Sequence, residues 1–449
     1  MEFSVAKFGG TSVADFQSMC RCAAIIEANP QVGIVVLSAS SGVTNLLVSL
    51  AQGIASQQLR EQQIQTIATI QWQIYNNLKA NPQLQQQIQT KLDDIAELSL
   101  RAATHAAPDL TDKILACGEQ CSTILFAELL RQRGNNANAF NACEVIATDS
   151  NHGNANVEIS AIKQNFTHKW GAYKGQQIIV TQGFIGADQQ GQITTLGRGG
   201  SDFSAALFAE AAEANKLYIW TDVAGIYTTD PRIAAKAHPI SEISFNEAAE
   251  MATFGAKVLH PATILPAVRS GTDVFVGSSK APEQGGTWIR ANVESTPTFR
   301  ALALRKQQTL LNLHSLKMLH AQGFLAEVFA TLARHKISVD LITTSEVNVA
   351  LTLDQTGSDA GGRSLLTPDL LAELGQVCEV TVEQELALVA LIGNDIATTP
   401  GLIARVFGLL EEFNIRLVCQ GASPHNICFL VEEQHAQTVI QKLHHNLFE

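Results

Sequence analysis

The sequence predicts an α/β protein, a mainly parallel open sheet sandwiched by helices, followed by two small α+β modules. Three observations carry this. Apolar, β-rich runs recur at Val32 to Ser40, Gln176 to Phe184, Lys216 to Val223 and Thr272 to Gly277. They lack strict apolar/polar alternation, which suits strands covered on both faces. Segments of helical periodicity lie between them, and strand-helix-strand order reads as α/β. The last third of the chain aligns onto itself without gaps: the stretch starting at Gly323 matches that starting at Gly401, with Val328/Val406, Phe329/Phe407, Leu332/Leu410 and Ile337/Ile415 identical. Each copy reads as glycine, amphipathic helix and β-rich hairpin, with a strand before it.

In chain order, Val5 to Phe8 reads as a short strand ending at Gly9-Gly10, with Thr11 and Ser12 starting a helix. The turn offers backbone N–H groups to an anion, and Lys7 points toward the same anion. The order of residues fits neither a Walker A loop nor a dinucleotide fingerprint. The Gln-rich region from Gln52 to Gln89 carries Ile67, Ile70, Ile74 and Leu78 at helical spacing, continued by Leu92, Ile95 and Leu98. It reads as a helical subdomain over about 52–105 rather than disorder.

Glu119 shares a helix with Ile114, Leu115, Cys121, Leu125 and Phe126, apolar on both sides. A carboxylate buried there needs a cation, and a substrate can supply it. In "TTLGRGGSD", Gly197, Gly199 and Gly200 surround Arg198, whose guanidinium suits bidentate capture of a carboxylate or phosphate. Asp202 stands at the start of the helical run that follows, where an N-cap is the simplest reading. Thr221 and Asp222 end an apolar strand, with Tyr227 and Arg232 in the loop beyond, an edge where α/β sheets bind ligands. Gly255, Lys257 and His260 precede a helix that Pro261 can initiate.

Composition excludes several classes. A net charge of −12 argues against nucleic acid as partner, so any anionic ligand must be held by a local basic cluster. No apolar run approaches the roughly 18 residues of a membrane span. The N-terminus has no export signal and the eight cysteines form no paired C-x-x-C sets, which suits a reducing, cytoplasmic compartment. The polar stretch Arg290 to Leu302 marks a domain boundary. The expected division is a catalytic domain over 1–294 and a regulatory region over 295–449, with modules at about 313–385 and 386–449 and a strand near 300–312.

The motifs "KFGGTS", "SASSGVTN", "TQGFIG", "TTLGRGGSD", "WTDVAGIYTTDPR" and "EMATFGAKVLHP", in this order and followed by the duplicated module, resemble the amino-acid kinase family. Within it they are most similar to the monofunctional, lysine-inhibited aspartate kinases with tandem ACT modules. The resemblance implies ATP-dependent phosphorylation of the L-aspartate β-carboxylate, the first step toward lysine, threonine and methionine, with Mg²⁺ held largely by phosphates and water and no metal site in the protein itself. It implies that Lys7 and the amides of Gly10 and Gly199 contact the phosphoryl group, that Asp202 orients the lysine, and that Lys257 neutralises phosphate. Thr44, Glu119, Arg198, Gly200 and Ser201 would bind aspartate. Phe8, Gly9, Thr221, Asp222, Tyr227, Arg232, Lys257 and Val258 would complete the nucleotide site. The family's allosteric lysine site maps to Met318, Ala321, Gly323, Phe324, Leu325, Ser338, Val339, Asp340, Ser345 and Glu346. In the second copy Val418 and Pro424 replace the two acids, so the first copy is the one equipped for a diamino acid. A homodimer is expected, with a tetramer possible when inhibitor is bound. The competing class is a non-catalytic amino-acid sensor that keeps the fold.

Overall fold

A computed structural model describes residues 2–255, 261–318, 322–354 and 365–449. The chain forms two compact units. One comprises Met1–Ile226, Pro239–Ala249 and Lys257–Val293; the other comprises Tyr227–His238, Glu250–Ala256 and Glu294–Glu449.

In the first unit the strands are β1 (Ser4–Phe8), β2 (Val32–Leu37), β3 (Ala137–Phe140), β4 (Ile178–Gln182), β5 (Ile185–Ala187), β6 (Ile193–Thr195), β7 (Lys216–Thr221), β8 (Glu242–Ser244), β9 (Asp273–Ser278) and β10 (Gly286–Arg290). Eight of them form a sheet in the order β3-β4-β2-β1-β7-β9-β10-β8. The six from β3 to β9 run parallel, and β10 turns back antiparallel on β9. Every residue of β1 is buried, and so are five of the six in β2, which accounts for apolar runs without alternation. β5 and β6 form a separate hairpin.

The helices are α1 (Phe16–Glu27), α2 (Val43–Ala51), α3 (Gln57–Tyr75), α4 (Pro82–Thr104), α5 (Pro108–Gln132), α6 (Ile159–Asn165), α7 (Gly200–Ala211), α8 (Phe245–Thr253), with its last turn in the second unit, and α9 (Pro261–Ser270). The helix expected from Thr11 starts later. Gly10–Val13 make a single 3₁₀ turn, and α1 begins at Phe16 because the Asp15 side chain accepts from Ser18 N–H and so takes the cap. The Gln-rich region folds as α3 and α4, capped by Ser56 and Asn81. Ile67, Ile74, Ile88, Leu92 and Ile95 are buried in one core with Phe8, Leu37 and Leu47, while Leu78 falls in the turn after α3. Among the described residues no helix is long and apolar enough to cross a membrane.

The second unit holds β11 (Ala301–His314), α10 (Phe324–Arg334), β12 (Ser338–Thr344), β13 (Asn348–Asp354), α11 (Pro368–Gly375), β14 (Glu379–Ile392), α12 (Leu402–Gly408), β15 (Leu417–Gln420), β16 (Asn426–Glu432) and α13 (Ala436–Phe448). Its strands form one antiparallel sheet, β12-β13-β11-β14-β16-β15. The long strands β11 and β14 serve both repeats. Their C-terminal and N-terminal halves, respectively, complete the first repeat, and the other halves complete the second. Register shifts around Gln308, with left-handed Gln307 and Glu385, mark the join. Each repeat keeps its own core, one around Val328 and Leu351 and one around Val406 and Phe429.

Candidate active site

β2 and β4 lie to one side of β1, and β7 and β9 to the other. The strand order therefore reverses at β1, and ligands of open α/β sheets bind beyond the carboxyl ends of strands at such a point. Lys7 stands one residue from the end of β1, 8% exposed, with its Nζ 2.5 Å from Asp202 Oδ1. Asp202 is not an N-cap. That place belongs to Gly199, whose φ of 73° starts α7 without a side-chain cap and leaves Asp202 in the first turn, facing the lysine.

The glycine amides divide into spent and free. Gly9 is extended and donates its N–H to Trp220 O, prolonging the β1–β7 ladder, so it is not available to an anion as the sequence suggested. Gly10 N–H has no partner among the described residues, and a Cβ there would meet Ala39 O at 2.8 Å. Gly200 donates to Gly197 O and closes its turn, whereas Gly199 N–H is unpartnered among the described residues. The Phe8 ring is fully buried and stacks on Trp220, so its side chain belongs to the core.

Glu119 is 4% exposed, and its Oε1 accepts from Ala39 N–H at 3.1 Å. No cation pairs with it among the described residues. Burial pushes its carboxyl up to about 8, with the Ala39 hydrogen bond pulling the other way. Ala39 thus bridges two motifs, its N–H on Glu119 and its C=O against Gly10. Sequence reading missed it because the contact is main-chain, and only the "SASSGVTN" stretch pointed there. Ser201 packs against Gly183 at the end of β4, where a Cβ would come within 2.6 Å of its side chain. Thr221 ends β7, its C=O accepting from Ser279 and its hydroxyl donating to Asp222. Thr44 is exposed in the first turn of α2, and Arg198 is exposed with no hydrogen-bond partner among the described residues.

Direct contact joins Lys7 to Asp202, and Ala39 links Glu119 to Gly10; Gly199 and Ser201 stand beside Asp202 at the start of α7. Tyr227 and Arg232 belong to the second unit, where Arg232 forms a bidentate pair with Asp230. Lys257, Val258 and Ala321 lie outside the described residues. A cavity of about 390 Å³ between α1 and the β7–β9 face shares Trp220 and Ser279 with the strand ends but none of the site's charged groups.

Of the residues mapped to lysine, Gly323 caps α10 with φ 92°, Phe324 is buried, Met318 and Val339 are half-buried, and Leu325, Ser345 and Glu346 are exposed. Ser338 opens β12. Asp340 is not a free carboxylate: it is paired with Arg305 of β11.

A model of the amino acid kinase family matches residues 2–278, and an ACT domain model matches residues 389–447. The chain is 54% identical to the lysine-sensitive aspartokinase 3 of Escherichia coli, covering 100% of both chains. It is 32% identical to the chloroplastic aspartokinase 1 of Arabidopsis thaliana, over 99% of this chain and 80% of that one. The crystal structure of E. coli aspartokinase III with aspartate and ADP, an R-state, superposes with a TM-score of 0.92 over 100% of both chains at 54% identity. The T-state of that enzyme with lysine and aspartate gives 0.84 at the same identity and coverage.

Proposed function

The chain belongs to the amino acid kinase family and is an aspartokinase, and from that premise we propose that it transfers the γ-phosphoryl group of ATP to the β-carboxylate of L-aspartate under feedback inhibition by L-lysine. The observation that carries the mechanism is the Lys7–Asp202 ion pair at the end of β1, where the strand order reverses; the buried Glu119 and the amides of Gly10 and Gly199, unpartnered among the described residues, support it. A β-carboxylate is already ionised at neutral pH, so attack needs no general base. It needs relief from repulsion between two anions, and the reaction reduces to positioning and charge stabilisation. The carboxylate oxygen bonds to the γ-phosphorus as the bond to the bridging oxygen breaks and ADP departs. Lys7 takes the negative charge gathering on the phosphoryl oxygens, the two amides donate to the same oxygens, and Asp202 keeps the ammonium aimed.

Glu119 meets the substrate ammonium and Arg198 its α-carboxylate, with Thr44 and Ser201 adding hydroxyl contacts. Thr221 and Asp222 serve the nucleotide. Mg²⁺ would be carried by the phosphates and water. When bound, Mg²⁺ neutralises charge on the β- and γ-phosphates. Residues 1–294 form the catalytic segment and 295–449 the regulatory one, and the working form is a cytoplasmic homodimer that heads lysine, threonine and methionine synthesis.

Aspartyl phosphate is trapped by hydroxylamine, so ATP- and aspartate-dependent hydroxamate is expected, suppressed by L-lysine and not by L-threonine. Product from glutamate and none from aspartate would overturn the substrate. A second expectation follows from Glu119. It must be ionised to hold an ammonium, and its carboxyl titrates near 8 when the site is empty. The apparent KM for aspartate should therefore climb as pH falls from 8 toward 6, approaching about tenfold per pH unit. A KM that stays flat across that range removes Glu119 from the ammonium site.

A further inference from the structure

A second carboxylate on α5 is buried and bonded, yet it has no part in the mechanism above. Asp112 is fully buried. Its Oδ2 faces His152 Nδ1 at 2.7 Å, its Oδ1 accepts from the Thr195 hydroxyl at 2.6 Å, and both oxygens accept from Gly153 N–H at 3.2 Å. Thr195 is the last residue of β6, two before Gly197. Its C=O in turn accepts from Ala155 N–H. Gly197 has no slack, because a Cβ there would stand 2.6 Å from Asn154 Oδ1. Asp112 therefore stitches the 152–155 loop and the end of β6 into one block, and the Gly197–Gly199 turn that carries Arg198 is built on that block.

Asp112 and Glu119 are seven residues apart, two turns of α5, about 10.5 Å along the axis and nearly on the same face. We propose that Asp112, with His152 and Thr195, positions the Arg198 turn, so that one rigid helix fixes the distance between the groups that grip the two ends of the substrate's amino-acid moiety. These are positioning residues for the α-ammonium and α-carboxylate of the substrate, and the inference rests on the aspartokinase reading of Glu119 and Arg198. A loosened block lets the guanidinium drift relative to Glu119. The penalty falls on the grip of the substrate's α-ammonium and α-carboxylate, with phosphoryl transfer geometry at Lys7 left as it was.

The test uses the full chain with Thr195→Val, His152→Ala and Thr195→Ser, measured by hydroxamate formation and thermal unfolding. For the first two, the aspartate KM should rise about tenfold, the cost of a lost hydrogen bond to a charged group. The kcat and the ATP KM should stay within about twofold. Thr195→Ser keeps the hydroxyl and should restore wild-type values. An aspartate KM within twofold of wild type in both variants overturns the proposal, whatever happens to unfolding. So does a uniform loss in kcat and both KM values alongside a lowered Tm, since that is what a purely structural clamp would give. If the wild-type chain itself makes no aspartyl hydroxamate, the failure lies with the substrate reading instead.

Discussion

Lys7→Ala is expected to lower kcat by about 10³-fold, roughly 4 kcal/mol of transition-state stabilisation, because it removes a preorganised cation from a water-poor site where charge develops. Lys7 is 8% exposed and its ammonium is held by Asp202 at 2.5 Å, so it needs little reorganisation when the phosphoryl group passes. The aspartate KM should move much less, since Glu119 and Arg198 lie outside that pair. Lys7→Arg should fail to restore the rate, because a planar fork cannot occupy the place of a compact ammonium at the end of β1. Steady-state kinetics with a circular dichroism check of folding decides the point, and a folded Lys7→Ala enzyme retaining a third of the wild-type rate would remove Lys7 from the mechanism.

Glu119→Gln has the second largest expected effect, with opposite signs on binding and stability. Truncating the charge leaves the bound ammonium without its buried counter-ion, for which a roughly 10²-fold rise in aspartate KM is the expected scale. The pH dependence of that KM between 6 and 8 should vanish with it. Stability should move the other way. The folded-state carboxyl titrates near 8, above its ordinary 4.5, so its contribution to stability is fully present below about 4.5 and lost as pH rises through 8. At pH 8.5 the neutral amide relieves the fold of an unpaired buried charge, and Tm should exceed that of the wild type in the absence of aspartate. A lower Tm at that pH would show that the carboxylate has a counter-ion in the empty enzyme.

Much of the fold was legible because burial leaves marks in composition. Strands covered on both faces read as unbroken apolar runs, and the isoleucines of α3 and α4 recur at helical spacing inside a Gln-rich stretch. The gapless repeat foretold two helix-hairpin units. What stayed hidden was decided by contacts between distant residues. Asp15 competes for the cap of α1 and delays it by several residues, and a left-handed Gly199 relieves Asp202 of capping duty. Gly9 gives its amide to Trp220, more than two hundred residues away in sequence, and Asp340 finds Arg305 on a neighbouring part of the sheet.

By itself the sequence determined the class of chemistry. It supplied a lysine ahead of a glycine pair, an arginine between glycines and an acid on an apolar helix, and local pattern is enough to place such residues at strand and helix ends. Only the tertiary structure decided which of their groups are free to act. A donor or a charge is available to a ligand when no other part of the chain has already satisfied it, and that competition is settled by packing across long sequence separations that no local pattern records.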